Sequence, residues 1–452
     1  MITVKWAIPI LLGVLTYVLC APLGESIRLY LAFTIWGVFA WVFEILPESL
    51  VGMMMVVFYI LAGVAKPAQV FAPWSTQVPW LVFGGMILSL AMQQSGLAKR
   101  IAYKIISLTG TSYVGILLSL AVIGIVLTPL VTTPSPRILL LAPIMIGIFQ
   151  VLDIKQGSQA GMAFMLAVLF AVWSPSFLFL TSDQGVLAAD AVFKTTGQTI
   201  DFVTYMIYMS PVAVMWAFLS VLTLIVVRPG KIALNKETLQ KNYRELGAMT
   251  RTEKWSAALF TIMLALFLTD TYHKVSPAWI IILVGSVMFF PGINVLKKAD
   301  MSKINFTIIV FITTAIAIGE AANACGATKL FAKAIIPYLQ GQSGTFVVMA
   351  TWFIGVVGQL LLNPLAIMGS FFVPIVEVFH ILGINPHLGP YALMLGFNNL
   401  IFPFELAPAL IAYSFGYIKL MDMVKIGAIR IVVGFVFMIA AVIPYWKLMG
   451  LM

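Results

Sequence analysis

Charge is scarce in this sequence. Of its 452 residues, 9% are Asp, Glu, Lys or Arg and 62% are hydrophobic, with a mean hydropathy of +1.07. A soluble domain is about 25% charged, and polar surface this thin cannot cover a water-soluble globule. Soluble enzymes, nucleic-acid binders and disordered tails are thereby excluded, and no nucleic-acid partner is expected. Cysteine and histidine are sparse too. Cys20 and Cys325 sit in apolar context and supply no disulfide framework. With only His273, His380 and His387, and no Cys/His cluster, no zinc, haem or other cofactor is expected. His380 and His387 lie near a loop and read as surface residues. The sequence also lacks His-Glu-x-x-His and any Ser/His or Asp/Asp pair at useful spacing, which argues against a membrane-embedded enzyme. The short alternating segments of a membrane barrel are missing as well.

What is present is a series of long apolar runs. They read as helices of roughly 20 residues, because lipid cannot satisfy a bare backbone. The expected fold class is an all-α polytopic membrane protein. The net charge of +10, from 26 Lys and Arg against 16 Asp and Glu, then reflects cytoplasmic loops. The one long polar stretch, Arg228–Lys254, is rich in Lys and Arg and should be cytoplasmic. The N-terminus, Lys99, Arg100, Lys297, Lys298, Lys303, Lys419 and Lys425 should share its side. The run Trp6 to Cys20 has no small-residue cleavage pattern after it and reads as the first span rather than a signal segment. The organisation expected is a first transmembrane helix over 1–28, a first repeat over 29–227, a cytoplasmic linker over 228–255 and a second repeat over 256–452.

The two halves resemble each other at an offset of 230. Ser95-Gly96-Leu97-Ala98-Lys99 recurs as Cys325-Gly326-Ala327-Thr328-Lys329, and Thr133-Pro134 lands on Asn363-Pro364. Such duplication is common in transporters, and an odd number of spans per copy would make the copies inverted. Two runs, 113–151 and 344–380, are too long for one span and are interrupted at Thr132 to Arg137 and at Asn363-Pro364. Prolines and an Arg do not sit mid-helix in hydrocarbon without a broken backbone. Arms of some 13 residues, about 20 Å of helix, fall short of the bilayer core, so the spacing predicts two re-entrant hairpins. The alternative is a pair of Pro-kinked spans. Ser135-Pro136 and Asn363-Pro364 read as N-cap followed by first helical residue, which would aim two positive helix ends at an anion.

Two further breaks follow, at Trp173-Ser174-Pro175-Ser176 and from Asn398-Asn399 through Phe402 to Pro408. With the hairpin tips they would complete a four-part midplane site. Arg137 is the strongest candidate ligand. A membrane-embedded Arg costs about 2.5–3.5 kcal/mol even on a lenient scale, tolerable if it faces a wet cavity and pairs with a carboxylate or sulfonate; the other reading is that it snorkels to the cytoplasmic surface or pairs with a structural acid. Glu405 could bind a cation or proton, pair with a basic residue, or simply accept backbone hydrogen bonds at a helix end. Asp183 reads as a loop-edge acid, and Glu44 and Glu320 as residues that could line an interface.

At these residues the chain resembles the divalent anion/sodium symporter family of the ion transporter superfamily. Gly96-Leu97-Ala98-Lys99-Arg100, the stretch from Glu245 to Lys254 and the stretch from Ser414 to Gly427 carry the likeness, in order along nearly the whole chain. The resemblance implies about eleven transmembrane helices, two inverted repeats, two re-entrant hairpins, a fixed scaffold with a moving transport domain, and a homodimer. It puts the family's first Ser-Asn-Thr triplet on Thr133-Pro134-Ser135 and the second near Leu362-Asn363-Pro364 or up to two residues later, which brings in Leu365. Arg137 follows the first triplet by two residues, where the family's sodium-independent exchangers also carry an Arg. The expected substrate site is thus Thr132, Thr133, Pro134, Ser135, Arg137, Ser174, Pro175, Ser176, Asn363, Pro364, Leu365, Glu405 and Pro408. The expected function is elevator-type exchange of small organic anions (di- or tricarboxylates, or sulfonate or sulfate) without sodium, in a bacterial inner membrane. The alternative is a sodium- or proton-coupled symporter of the same fold.

Overall fold

The computed structural model describes residues 2–43, 45–109, 112–151, 154–227, 243–304 and 306–452. Glu44 and most of the basic central stretch lie outside the described residues. The protein is an all-α polytopic membrane protein, 78% helical with no strand among the described residues. The helices are α1 (Ile2–Leu19), α2 (Glu25–Val42), α3 (Glu48–Leu61), α4 (Val78–Ser95), α5 (Leu97–Thr109), α6 (Tyr113–Leu130), α7 (Pro134–Val151), α8 (Gln159–Trp173), α9 (Asp183–Thr196) and α10 (Phe202–Leu222). After the central stretch come α11 (Arg251–Leu268), α12 (Pro277–Val287), α13 (Phe306–Cys325), α14 (Ala327–Leu339), α15 (Gly344–Leu361), α16 (Pro364–Ile381), α17 (Leu388–Phe397), α18 (Ala407–Ser414), α19 (Leu420–Phe437) and α20 (Ile443–Leu448). Five described helical segments are long and apolar enough to cross a membrane, or six if the bent pair α4–α5 counts as one.

The duplication is visible in the helix boundaries. The α5 and α14 segments lie 230 residues apart at both ends, as do α7 and α16, while α6 and α15 lie 231 apart. Gly96 and Gly326, at φ +82° and +83°, stand at equivalent junctions in the left-handed region that only glycine enters without strain. At Gly96 the chain turns by 69° between α4 and α5. Packing is reciprocal as well. The α3 helix packs on α13 and its counterpart α12 on α4; α9 packs on α16 and its counterpart α18 on α7. Contacts in which i meets j′ and j meets i′ are what a two-fold relation generates.

Both interrupted runs break where the prolines predict, but with longer arms. Each arm is 18 residues, about 27 Å of helix, because Pro129 is accommodated in the last turn of α6. Arm length therefore does not separate a hairpin from two spans; the break itself is the feature. In α16, Asn363 caps as expected, its Oδ1 accepting the Ala366 N–H at 2.8 Å, with Pro364 in the first turn. The first tip differs from expectation. The α7 helix begins at Pro134, so Ser135-Pro136 lies inside its first turn rather than forming the cap. Proline's fixed φ and missing N–H suit the first helical position, and this start makes Thr133-Pro134 the counterpart of Asn363-Pro364.

The deepest elements are α8, buried from Gly161 to Trp173, and α17, buried throughout. Helices apolar on every side belong inside a protein. The helices that lead into the two breaks, α6 and α15, approach them closely: a Cβ on Gly124 would collide with the Ala171 carbonyl, and one on Gly355, 231 residues later, would stand 2.5 Å from the Leu393 carbonyl. One end of the bundle is closed by a polar clamp. Arg100 grips Glu253 through Nε–Oε1 at 2.7 Å and Nη2–Oε2 at 3.0 Å, and donates to the carbonyls of Leu246, Gly247 and Ala248. Beside it Asp300 accepts from Gln94 at 2.9 Å and Lys303 at 2.8 Å, and Arg251 donates to the Gly292 carbonyl at 2.7 Å. Residues 246–253, Arg100 and the Lys297–Lys303 turn therefore share one face.

Candidate functional site

The breaks in α6–α7, α8–α9 and α17–α18 leave polar groups inside an apolar bundle, and two guanidinium groups gather most of them. Arg137, in the first turn of α7, has 0% exposure; the surface-snorkelling reading is set aside. Its Nη1 donates to Thr128 Oγ1, and its Nε reaches the Thr133 carbonyl at 3.5 Å, the outer limit of a hydrogen bond. Its Nη2 has no hydrogen-bond partner. The nearest opposing charge is Asp183, in the first turn of α9. Asp183 Oδ1 accepts its neighbour Gln184's N–H at 2.9 Å. It is half-buried and is the first helical residue after the 174–182 break, at the loop edge that the sequence predicts.

The two breaks are pinned to different helices. Thr132 N donates to Ser89 Oγ of α4 at 3.0 Å, and the two hydroxyls lie 3.2 Å apart. Asn363 Nδ2 donates to Glu48 Oε1 at the start of α3, 2.7 Å away. Thr133, Pro134, Ser135 and Leu365 are half-buried around these breaks, and Pro364 is buried.

Ser174, Pro175, Ser176, Glu405 and Pro408 are buried, and Ser174 and Glu405 belong to a second cluster. Its centre is Arg430 of α19, also at 0% exposure. Arg430 Nη2 donates to Ser174 Oγ, Ser220 Oγ and the Asn398 carbonyl, each at 3.2 Å. Its guanidinium lies 4.1 Å from the Phe170 ring centre and 5.4 Å from that of Trp216. Ser176 Oγ turns back to the Trp173 carbonyl. Glu405 accepts the Ile401 and Phe402 N–H groups, both at 3.1 Å; it closes its own turn, as the second reading of it expects, while its charge faces Arg430. Pro408 sits in the first turn of α18.

The sequence reading did not single out Arg430, although the rule that picks Arg137 applies equally to an Arg between Ile429 and Ile431 in an apolar run. His387 departs from its surface reading: it is 8% exposed, with its ring 6.0 Å from that of Tyr391. A cavity of about 760 Å³ opens elsewhere, between Gln77, the end of α9 and Ser276, and none of the expected site residues lines it. At its wall Lys194 bridges Asp190 at 3.1 Å and Glu320 of α13 at 2.7 Å.

Two matching halves, broken helices in equivalent places and buried charge at the breaks make up the plan of a secondary transporter. The chain belongs to the sodium:sulfate symporter transmembrane region family, which matches residues 3–452. It is 26% identical over 288 residues to the sodium-dependent dicarboxylate transporter SdcS of Staphylococcus saprophyticus, covering 60% of this chain and 54% of that protein. It is 23% identical to the citrate/succinate antiporter of Escherichia coli, covering 79% of this chain and 76% of the other. Among solved structures, the Alcanivorax borkumensis YdaH transporter shares the fold at a TM-score of 0.57 and 17% identity, over 88% of this chain and 89% of that one.

Proposed function

We propose that the protein is a secondary transporter that exchanges small organic anions, di- or tricarboxylates in the first place, without sodium. The observation that carries the proposal is Arg137. It is a fully buried cation at the start of a helix, with one amino group free of partners. Its Nε and Nη2 form the guanidinium edge that engages a carboxylate at two points, and the one is only loosely held while the other is free. Thr132, Thr133 and Ser135 at the same tip, with Asn363 at the other, supply hydroxyl and amide groups for the rest of the anion. The similarity to a citrate/succinate antiporter supports both substrate class and exchange.

In this reading the chain has about eleven spans in two inverted repeats, with two re-entrant hairpins carried by a transport domain that moves as an elevator against the scaffold of a homodimer. It resides in a bacterial inner membrane, with the N-terminus and the clamped basic face in the cytoplasm. A second reading, coupling to sodium or protons, is favoured by the similarity to a sodium-dependent transporter and by the acids at the helix breaks, half-buried Asp183 and buried Glu405. Purified protein in liposomes separates the two. Exchange predicts that uptake of labelled succinate or citrate needs an anion trapped inside and proceeds in choline buffer; accumulation into anion-free vesicles on a sodium or proton gradient alone gives the case to the symporter.

A further inference from the structure

The residues around Arg430 have a common property. Ser174 is the C-terminal cap of α8, and Asn398 is the C-terminal cap of α17. These two deeply buried helices stand at equivalent places in the two halves, and both cap residues meet the same guanidinium, Ser174 through its hydroxyl and Asn398 through its backbone carbonyl. Each helix carboxyl end carries about half a negative charge, and the Glu405 carboxyl faces the same guanidinium. In transporters built on broken helices, such carboxyl ends and unwound carbonyls are where a coupling cation is coordinated. Here the place is taken from the side by Arg430, reaching in from α19. It gives one amino group to both caps and to Ser220, stacks on Phe170, and leaves Nε and Nη1 without hydrogen-bond partners.

We propose that Arg430 is a tethered cation. It occupies a cation-binding point made by the carboxyl ends of α8 and α17 with Glu405, holds both helix breaks in place, and removes the need for a soluble monovalent cation there. This deepens the sodium-independent reading and rests on it only for transport; the binding point itself stands on the geometry. It also assigns the neutralising role to a residue separate from Arg137. Arg137 stands at a helix amino end and is free to meet the substrate anion.

The test compares Arg430→Lys, Arg430→Met and Arg430→Ala as full-length protein in one detergent. Lys keeps the charge, Met keeps the bulk without it, and Ala vacates the point. Expected is that Lys accumulates and melts nearer the parent than Met does. Arg430→Ala should be stabilised saturably by low-millimolar guanidinium, or by sodium or lithium, with choline inert and the parent protein unmoved. In liposomes the same ions should raise exchange by Arg430→Ala at least tenfold. Lys no better than Met, including failure of both to accumulate, overturns the proposal, as does an Ala variant whose stability is indifferent to small cations. If parental transport proves sodium-driven while the stability results hold, the exchanger reading falls and the tethered cation remains.

Discussion

If Arg137 holds the substrate, its removal has a size that the structure sets. The guanidinium spends Nη1 on Thr128, while Nε has only a 3.5 Å contact and Nη2 has none. An anion carboxylate on that edge gains two charge-assisted hydrogen bonds of about 1.5–3 kcal/mol each. Part of this offsets desolvation of the anion, so the expected loss in Arg137→Ala is at least about 1.4 kcal/mol, a tenfold weaker affinity. Arg137→Lys should recover only part of it, because an ammonium cannot make the planar two-point contact. The assay is thermal unfolding in one detergent with graded succinate, citrate, malate, tartrate and sulfate. Ligand at 100 times Kd stabilises the folded state by about 2.7 kcal/mol, and a tenfold weaker variant at the same concentration by about 1.4 kcal/mol. Equal stabilisation of the parent and Arg137→Ala by every anion that binds would refute the reasoning and move the search to Thr132, Thr133, Ser135 and Asn363.

Other outcomes follow from the same structure. Glu253→Gln should lower thermal stability by about 1.5–3 kcal/mol, because it loosens the two-point grip of Arg100 that ties the central stretch to α5; an unchanged melting temperature would contradict this. Gly124→Val and Gly355→Val should each reduce folded yield, overpacking costing about 1–3 kcal/mol or more, since α8 and α17 leave no space there; normal yields from both would contradict it. The Lys303 ammonium, then the Gln94 amide and the Lys297 N–H, hold the Asp300 carboxyl below the usual carboxylate range. A depressed group contributes stability above its unfolded pKa and loses it as pH falls through the folded one. The turn should therefore be insensitive from neutrality to about pH 4 and weaken only below, a limb that Asp300→Asn flattens. Cysteines placed in 243–250 should resist impermeant reagents applied to intact cells; reaction from outside would reverse the orientation.

The candidate site was legible in part, and the division has physical causes. Prolines and glycines act on their own backbone, so Pro134, Asn363-Pro364, Gly96 and Gly326 could be read as breaks without knowing any neighbour, and their common offset exposed the duplication. The capping of Asn363 is a three-residue event and was read correctly. That of Ser135 was not, because two prolines compete for one helix start and Pro134 takes it. The roles of Ser174 and Arg430, and the tie of Asn363 to Glu48, were not legible, since each depends on a partner far along the chain: Ser174 on Arg430, Arg430 on Ser174 and Ser220, Asn363 on Glu48.

By itself, then, the sequence determined that this is a helical membrane protein of two similar halves, where its helices break, and that a cation lies buried beside a helix start. Composition and local backbone sterics suffice for that. Only the tertiary structure decided which buried charge meets which helix end: Arg137 at the amino end of α7, opposite Asp183, and Arg430 at the carboxyl ends of α8 and α17, opposite Glu405. In a medium of low dielectric a charge is fixed by whatever lies within a few ångströms of it, and some of those neighbours, Ser174 and Ser220 beside Arg430, come from segments more than two hundred residues away.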